Sequence, residues 1–172
     1  MRTLWRISNH ADLAGLGGER LTARWHTAAP GKRIVYLAEH PAAALLENLV
    51  HLKGHPQFFP QDYQLLRIEA EEGGSLSSFD EALPDDWREN QKATRALGDA
   101  WLRAGISALF KVPSAVCPES FNYLFNPLHR DAPELTIQWA KRIAYDRRLF
   151  QVVASAHSAM SEPRPRKRRS RQ

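Results

Sequence analysis

Several polar residues stand where a chain built only to fold has little need of them. In GKRIVYLAEHPAAALLENLVHL, residues 31–52, Glu47 is a carboxylate among leucines, between Leu46 and Leu49, and Tyr36, eleven positions earlier, lies in an apolar run. Arg6 interrupts LWRIS, and Arg24 stands beside Trp25 after a Gly-rich loop. Ser114, Asn122, Tyr123 and Asn126 share a Pro-bounded stretch, VPSAVCPESFNYLFNP. As residue types, these are a carboxylate able to stabilise positive charge, guanidinium groups able to grip phosphate, and hydroxyl and amide groups able to orient either.

Each also has a purely structural account. On a helix, Leu45 and Leu49 lie four apart, as do Leu46 and Val50, and Glu47 falls at the edge of that stripe, where solvent is the default. Arg6 can point outward from an alternating strand, and Arg24 can stack on an aromatic ring or pair with a surface acid. Tyr36 can be a core ring with a wet hydroxyl, and Asn122 and Asn126 can organise a turn with Pro127. Composition and spacing alone favour these structural accounts.

The elements that would position the residues alternate between strand and helix. LWRIS (4–8), RIVYLA (33–38), YQLLRIEA (63–70) and SALFKV (107–112) read as strands, and LTIQWAKRIAYD (135–146) has strand character. RRLFQVVASA (147–156) reads as a last strand or a short helix. Pro41 suits a first helical turn and Gly54 a stop, which predicts a helix over 41–53. A second, amphipathic helix is expected over Asp85 to Ala104, with Trp87, Leu97, Trp101 and Leu102 inward and Gly105 closing it. Residues 71–91, with a Gly pair and a Ser cluster, read as a surface loop that overlaps this helix's start. The fold class expected is mixed α/β in one compact domain, about residues 1–158, with no internal repeat.

Composition bounds the function. A chain of 172 residues, 43% hydrophobic, suits one core. No apolar run approaches the ~18 residues of a membrane span, and the N-terminus lacks a signal peptide's apolar stretch, so a cytoplasmic protein is expected. One cysteine, Cys117, leaves no internal disulfide framework and no multi-Cys zinc site. The seven scattered histidines form no persuasive ligand motif, and no metal is expected. The basic balance is local: PRPRKRRSRQ (163–172) holds six Lys or Arg, and removing them from 24 leaves 18 basic against 19 acidic residues, a net of −1 over 1–162. The end of the chain, 159–172, therefore reads as a basic, disordered tail on a nearly neutral domain.

Taken in order, LWRI, GGERLTARWH, RIVYLAEHPAAALLENLVHL and VPSAVCPESFNYLFNP resemble the RES domain, the toxin half of bacterial RES-Xre toxin–antitoxin modules. The resemblance runs from about residue 4 to 128 and on toward 155. Its most specific elements are the Tyr-x10-Glu block with its ALLE helix and the NYLxNP loop. It implies a fold similar to that of ADP-ribosyltransferases, with a central mixed sheet flanked by helices. It also implies consumption of NAD by cleavage at the nicotinamide ribose bond, with hydrolysis, phosphorolysis or ADP-ribosyl transfer in different members. The site residues it implies are Arg24, Tyr36, Glu47 and Ser114, with Ser107 as the alternative serine, Arg6 as a second pocket arginine, and Asn122 and Asn126 in the NYLxNP loop. His26 departs from the pattern, since many members have Asn there.

In that reading Glu47 would stabilise positive charge on the ribose and Arg24 and Arg6 would position the pyrophosphate. Tyr36 would stack on the nicotinamide or hold the bound conformation, and Ser114 would bond the ribose or Glu47. NAD would be the substrate, with no further cofactor. An Xre-like helix-turn-helix antitoxin would occlude the pocket and carry any DNA binding, with a toxin homodimer possible within the complex. Two alternatives stand beside NAD degradation: an ADP-ribosyltransferase that modifies a protein, and a nonenzymatic nucleic-acid-binding regulator acting through the tail.

Overall fold

A computed structural model describes residues 1–52, 62–71, 75–78, 83–146 and 148–149. The expected strands are present with shifted ends: β1 (Arg2–Ser8), β2 (Val35–Ala38), β3 (Gln64–Ala70), β5 (Leu109–Pro113) and β7 (Leu135–Arg142). Two more, β4 (Leu76–Ser78) and β6 (Phe121–Phe125), lie in stretches read as loops from the sequence. Asn122, Tyr123, Leu124 and Phe125 are all buried, so β6 carries no polar alternation to announce it, and Asn and Pro at its ends read as turn signals.

These strands form one sheet in the order β4-β5-β6-β2-β1-β3-β7. Every pairing is antiparallel except β4 with β5, which gives the mixed sheet and α/β class that the sequence predicts. Because side chains alternate across a strand, the pairings divide the core in two. Leu4, Leu37, Leu66, Ile68, Tyr123 and Phe125 pack on one face. Trp25, Ile34, Phe110, Val112 and Leu124 pack on the other with Trp87 and Trp101.

The α-helices whose full bounds fall among the described residues are α1 (Gly17–Arg20), α2 (Pro41–His51) and α3 (Gln91–Ala104). Pro41 opens α2 as predicted, behind His40, whose Nδ1 accepts from the Ala42 N–H at 3.2 Å. The helix ends at His51, and Gly54 lies outside the described residues. The start expected at Asp85 is corrected to Gln91. Asn90 Oδ1 caps the Ala93 N–H, while residues 85–89 form turns that still bury Trp87. Gly105 closes α3 in the left-handed conformation, φ 57°. Most of 147–156 and all of the tail lie outside the described residues. No described helix is long and apolar enough to cross a membrane.

Candidate active site

The orientation of α2 decides whether Glu47 faces solvent or the protein. Its buried residues are Ala43 and Ala44, three and four positions before Glu47 and thus on its side of the helix; they pack on Ala38, Trp5 and Ile7 of the sheet. Leu46 and Val50, by contrast, are 41% and 57% exposed. The helix turns two of its large apolar residues outward and its carboxylate toward the protein. The solvated Glu47 that spacing alone favoured is corrected: small alanines allow α2 to lie close to β1 and β2.

Two distant side chains hold the carboxylate. Ser114 Oγ donates to Glu47 Oε1 at 2.8 Å, and Asn122 Nδ2 donates to the same oxygen at 2.6 Å. Ser114 follows β5, which Pro113 ends, and its Oγ accepts from the backbone N–H groups of Val116 and Cys117. The one hydroxyl proton is thereby committed to Glu47. Asn122 pairs with Ala38 on one side and Val112 on the other, so the sheet itself carries its amide to α2. Its Oδ1 is buried without a partner among the described residues. No donor among the described residues reaches Glu47 Oε2.

Glu39, which sequence reasoning passed over, ties this corner together. Its Oε1 accepts from Ser120 Oγ at 2.7 Å and the Phe121 N–H at 2.9 Å, pinning the loop after Ser114 to the end of β2. The signal was an acid at a strand-to-helix junction with no apolar periodicity to explain it.

Tyr36 lies on the same sheet face as Asn122, one diagonal step away, since Ala38 pairs with Asn122 and Tyr36 with Leu124. Its hydroxyl accepts from the Trp25 N–H at 3.2 Å and meets His26 Nδ1 at 2.9 Å. Burial pushes its pKa up, while the nearby Arg24 and Arg95 charges oppose that rise. Arg24 Nη1 donates to the carbonyls of Arg88 at 2.7 Å and Trp87 at 3.3 Å, beside the Trp87 ring. Among the described residues it makes no bond to Glu47.

Helix α3 fixes the backbone of that segment. Thr94 Oγ1 donates to the Arg24 carbonyl at 2.7 Å, Arg95 Nε to that of Ala23 at 2.9 Å, and Asp99 Oδ1 accepts from the Thr27 N–H at 3.0 Å. Asp99 also pairs with Lys32 at 3.0 Å. Burial acts to raise its pKa, but the bond from Thr27 and the Lys32 charge leave it below the ordinary value. None of these α3 residues was singled out from sequence, since helical positions 70 or so residues away in the chain carry no local mark of the contact.

Other expected residues lie elsewhere. Arg6 pairs with Leu66 and shares the face of Leu4, opposite Tyr36 and Asn122. Its guanidinium donates to the Asp12 carbonyl at 3.1 Å, and burial lowers its pKa despite the Asp12 charge. Asn126 Oδ1 accepts from the Leu128 N–H, and its own N–H donates to Ala108, a turn role at the far end of β6. Ser107 accepts from Trp101 Nε1 and donates to the Leu109 carbonyl, so of the two serines Ser114 is the one at Glu47. A depression of about 440 Å³ lined by Leu13, Arg33, Phe125, Pro127, His129 and Leu135 also lies at that far end, apart from Glu47. Among the described residues no group of three His, Cys, Asp or Glu could hold a metal ion.

Comparison with known proteins identifies the family of this chain. Residues 3–150 match the RES domain family. The chain belongs to the RES family. A RES relative from Pseudomonas putida, Toxin Res, is 44% identical over 147 residues, 86% of this chain and 99% of that protein. The Prs ADP-ribosylating toxin of a Sphingobium species is 32% identical over 161 residues, 87% of this chain and 97% of that protein. Toxin Res of Yersinia enterocolitica is 31% identical over 133 residues, 74% and 85% of the two chains.

Proposed function

We propose that the protein is a toxin that cleaves NAD at its nicotinamide ribose bond, with Glu47 as the group that stabilises the reacting ribose. The observation that carries this reading is the convergence of Ser114 and Asn122 on one oxygen of Glu47. Breaking the N-glycosidic bond sends its electron pair to nicotinamide, which leaves neutral, and places positive charge on the ribose ring. A carboxylate held in advance stabilises that charge more in the transition state than in the ground state. Its two donors fix the direction of Oε1 and leave Oε2 toward the sugar. Water then adds to the anomeric carbon and releases a proton, giving ADP-ribose; phosphate in the same position gives the phosphorolysis product.

Arg24, with donors beyond the Nη1 already engaged, would hold the pyrophosphate, and the half-buried ring of Tyr36 would carry the nicotinamide end. Arg6, on the other face, is left out of the site. The reading keeps the ADP-ribosyltransferase-like fold, a cytoplasmic setting and an Xre-like antitoxin partner that covers the pocket. The name of the Sphingobium relative favours a second reading, transfer of ADP-ribose to a protein, which uses the same bond cleavage with a protein nucleophile in place of water.

Purified protein incubated with NAD should release nicotinamide, and Glu47→Gln, close in shape and uncharged, should not. Nicotinamide release with free ADP-ribose supports hydrolysis; ADP-ribose found by mass spectrometry on a protein supports transfer. No release with water, phosphate or cell lysate as acceptor would sink both.

A further inference from the structure

His26 is 2% exposed and belongs to no part of the chemistry described so far. Its Nε2 lies 3.1 Å from the Gly18 carbonyl of α1, and its Nδ1 lies 2.9 Å from the Tyr36 hydroxyl. A carbonyl only accepts, so Nε2 carries the proton. In the neutral ring Nδ1 is then an acceptor, and the Tyr36 O–H donates to it. The Tyr36 oxygen in turn accepts from the Trp25 N–H. Donors and acceptors match along the whole chain, from the Trp25 N–H through Tyr36 and His26 to Gly18.

A core tyrosine needs one partner for its hydroxyl. Here two consecutive residues, 25 and 26, hold it from different directions, and the His26 ring lies tilted against the Tyr36 ring at 5.8 Å between centroids. Tyr36 itself is half-buried, on the face that carries Asn122.

We propose that His26 is a positioning residue of the site: as the neutral Nε2–H tautomer it accepts a hydrogen bond from the Tyr36 hydroxyl and holds the ring in place, and its protonation reverses the direction of that bond. Protonated Nδ1 can only donate, so the Tyr36 oxygen must accept from both Nδ1 and the Trp25 N–H, and its own O–H loses its acceptor. The groups facing this pair are Gly18 of α1, Lys32 and Arg24 beside it, and Asp99 and Arg95 of α3. Burial is the largest influence on His26 and keeps the ring neutral; Lys32 acts the same way, and the Gly18 carbonyl and Asp99 oppose it. The inference rests on the proposed role of Tyr36 in binding NAD, but its structural half does not.

The test uses the full chain and four variants: His26→Phe, His26→Asn, Tyr36→Phe and the double Tyr36→Phe/His26→Phe. Asn can accept from Tyr36 through its amide oxygen. His26→Phe and Tyr36→Phe should each lower kcat/KM for nicotinamide release by about tenfold, the loss expected for one buried polar group left unpaired. The double variant should lose no more than Tyr36→Phe alone, and His26→Asn should recover most of the activity. The acid limb of the wild-type profile should disappear in His26→Asn. Additive losses, or His26→Phe with wild-type kcat/KM beside an impaired Tyr36→Phe, overturn the proposal.

A second readout needs no activity. Nitrogen-15 NMR of His26 should show the Nε2–H tautomer near neutral pH and a titration below that of an ordinary histidine. The Nδ1–H tautomer, or an ordinary titration, overturns the proposal even if NAD is cleaved. Wild type that releases no nicotinamide overturns the proposed function alone, and the NMR result then decides the role of His26.

Discussion

Gly98 sits in the middle of α3, and intrinsic helix propensity says that Ala there should stabilise the helix by about 1 kcal/mol. The tertiary structure reverses the sign. A Cβ at Gly98 would lie 1.7 Å from the Trp25 carbonyl oxygen and 2.8 Å from its carbon. Both are backbone atoms, which cannot swing aside as a side chain can, so relief requires α3 and the Arg24–His26 segment to part by more than an ångström. Overpacking of a close contact costs about 1–3 kcal/mol, occasionally more, and a backbone overlap this deep belongs at the upper end. Against the propensity gain, Gly98→Ala should lose about 2 kcal/mol or more, lowering Tm by about 4–8 °C for a chain of this size. The same parting pulls Thr94 off the Arg24 carbonyl and Asp99 off Thr27, so NAD turnover should fall with stability. Gly17→Ala, with nothing within 4 Å of its Cβ, is the control and should be nearly neutral. Thermal and urea unfolding decide the matter. A Gly98→Ala protein as stable as wild type, or more so, would refute the claim that this contact positions Arg24 and His26.

Other perturbations separate bracing of the carboxylate from its chemistry. Ser114→Ala removes a bond to Glu47 and strands the Val116 and Cys117 N–H groups; it should cost about 2–4 kcal/mol in urea unfolding. Ser114→Ala and Asn122→Ala should each slow nicotinamide release, and the double variant should fall short of the product of the two, because both donors serve one oxygen. Arg24→Lys keeps the charge but loses the planar fork, and should raise KM for NAD more than it lowers kcat in steady-state assays. For pH, the His26 pKa is held below its ordinary 6.5 by burial, so the unfolded chain takes up a proton that the native one refuses. His26's stabilising contribution is therefore full above about 6.5 and is lost as pH falls from there toward the folded value. Urea midpoints between pH 7 and 5 should fall in wild type and flatten in His26→Phe.

Much of the fold was legible locally. The strand at RIVYLA, Pro41 at the head of α2 and Gly105 at the end of α3 all follow from short-range chemistry, and each was found within a few residues. β6 was missed because a strand buried on both faces shows no alternation, and its Asn and Pro neighbours imitate a turn. The α3 start was misplaced because Asp85–Glu89 are compatible with helix, whereas Asn90 is the residue that caps it. In the site, Tyr36, Glu47 and Ser114 were recognisable only through the family pattern. Asn122 was read in a loop but lies in β6, and its hold on Glu47 was not foreseen; Glu39, Thr94 and Asp99 went unnoticed, and His26 drew notice only as a departure from the pattern.

By itself, the order of residues determined most of the element types, the α/β class and membership of the RES family, because patterning, caps and motifs are properties of neighbours. Which way Glu47 points was decided by tertiary structure alone. The hydrophobicity of α2 argues for burying Leu46 and Val50, yet close packing of Ala43 and Ala44 on the sheet turns those residues outward and the carboxylate in. Its two braces lie 67 and 75 positions away, and they reach it because β6 runs between β5 and β2. That adjacency comes from strand order, a consequence of burying both sheet faces at once, and no window of local sequence contains it.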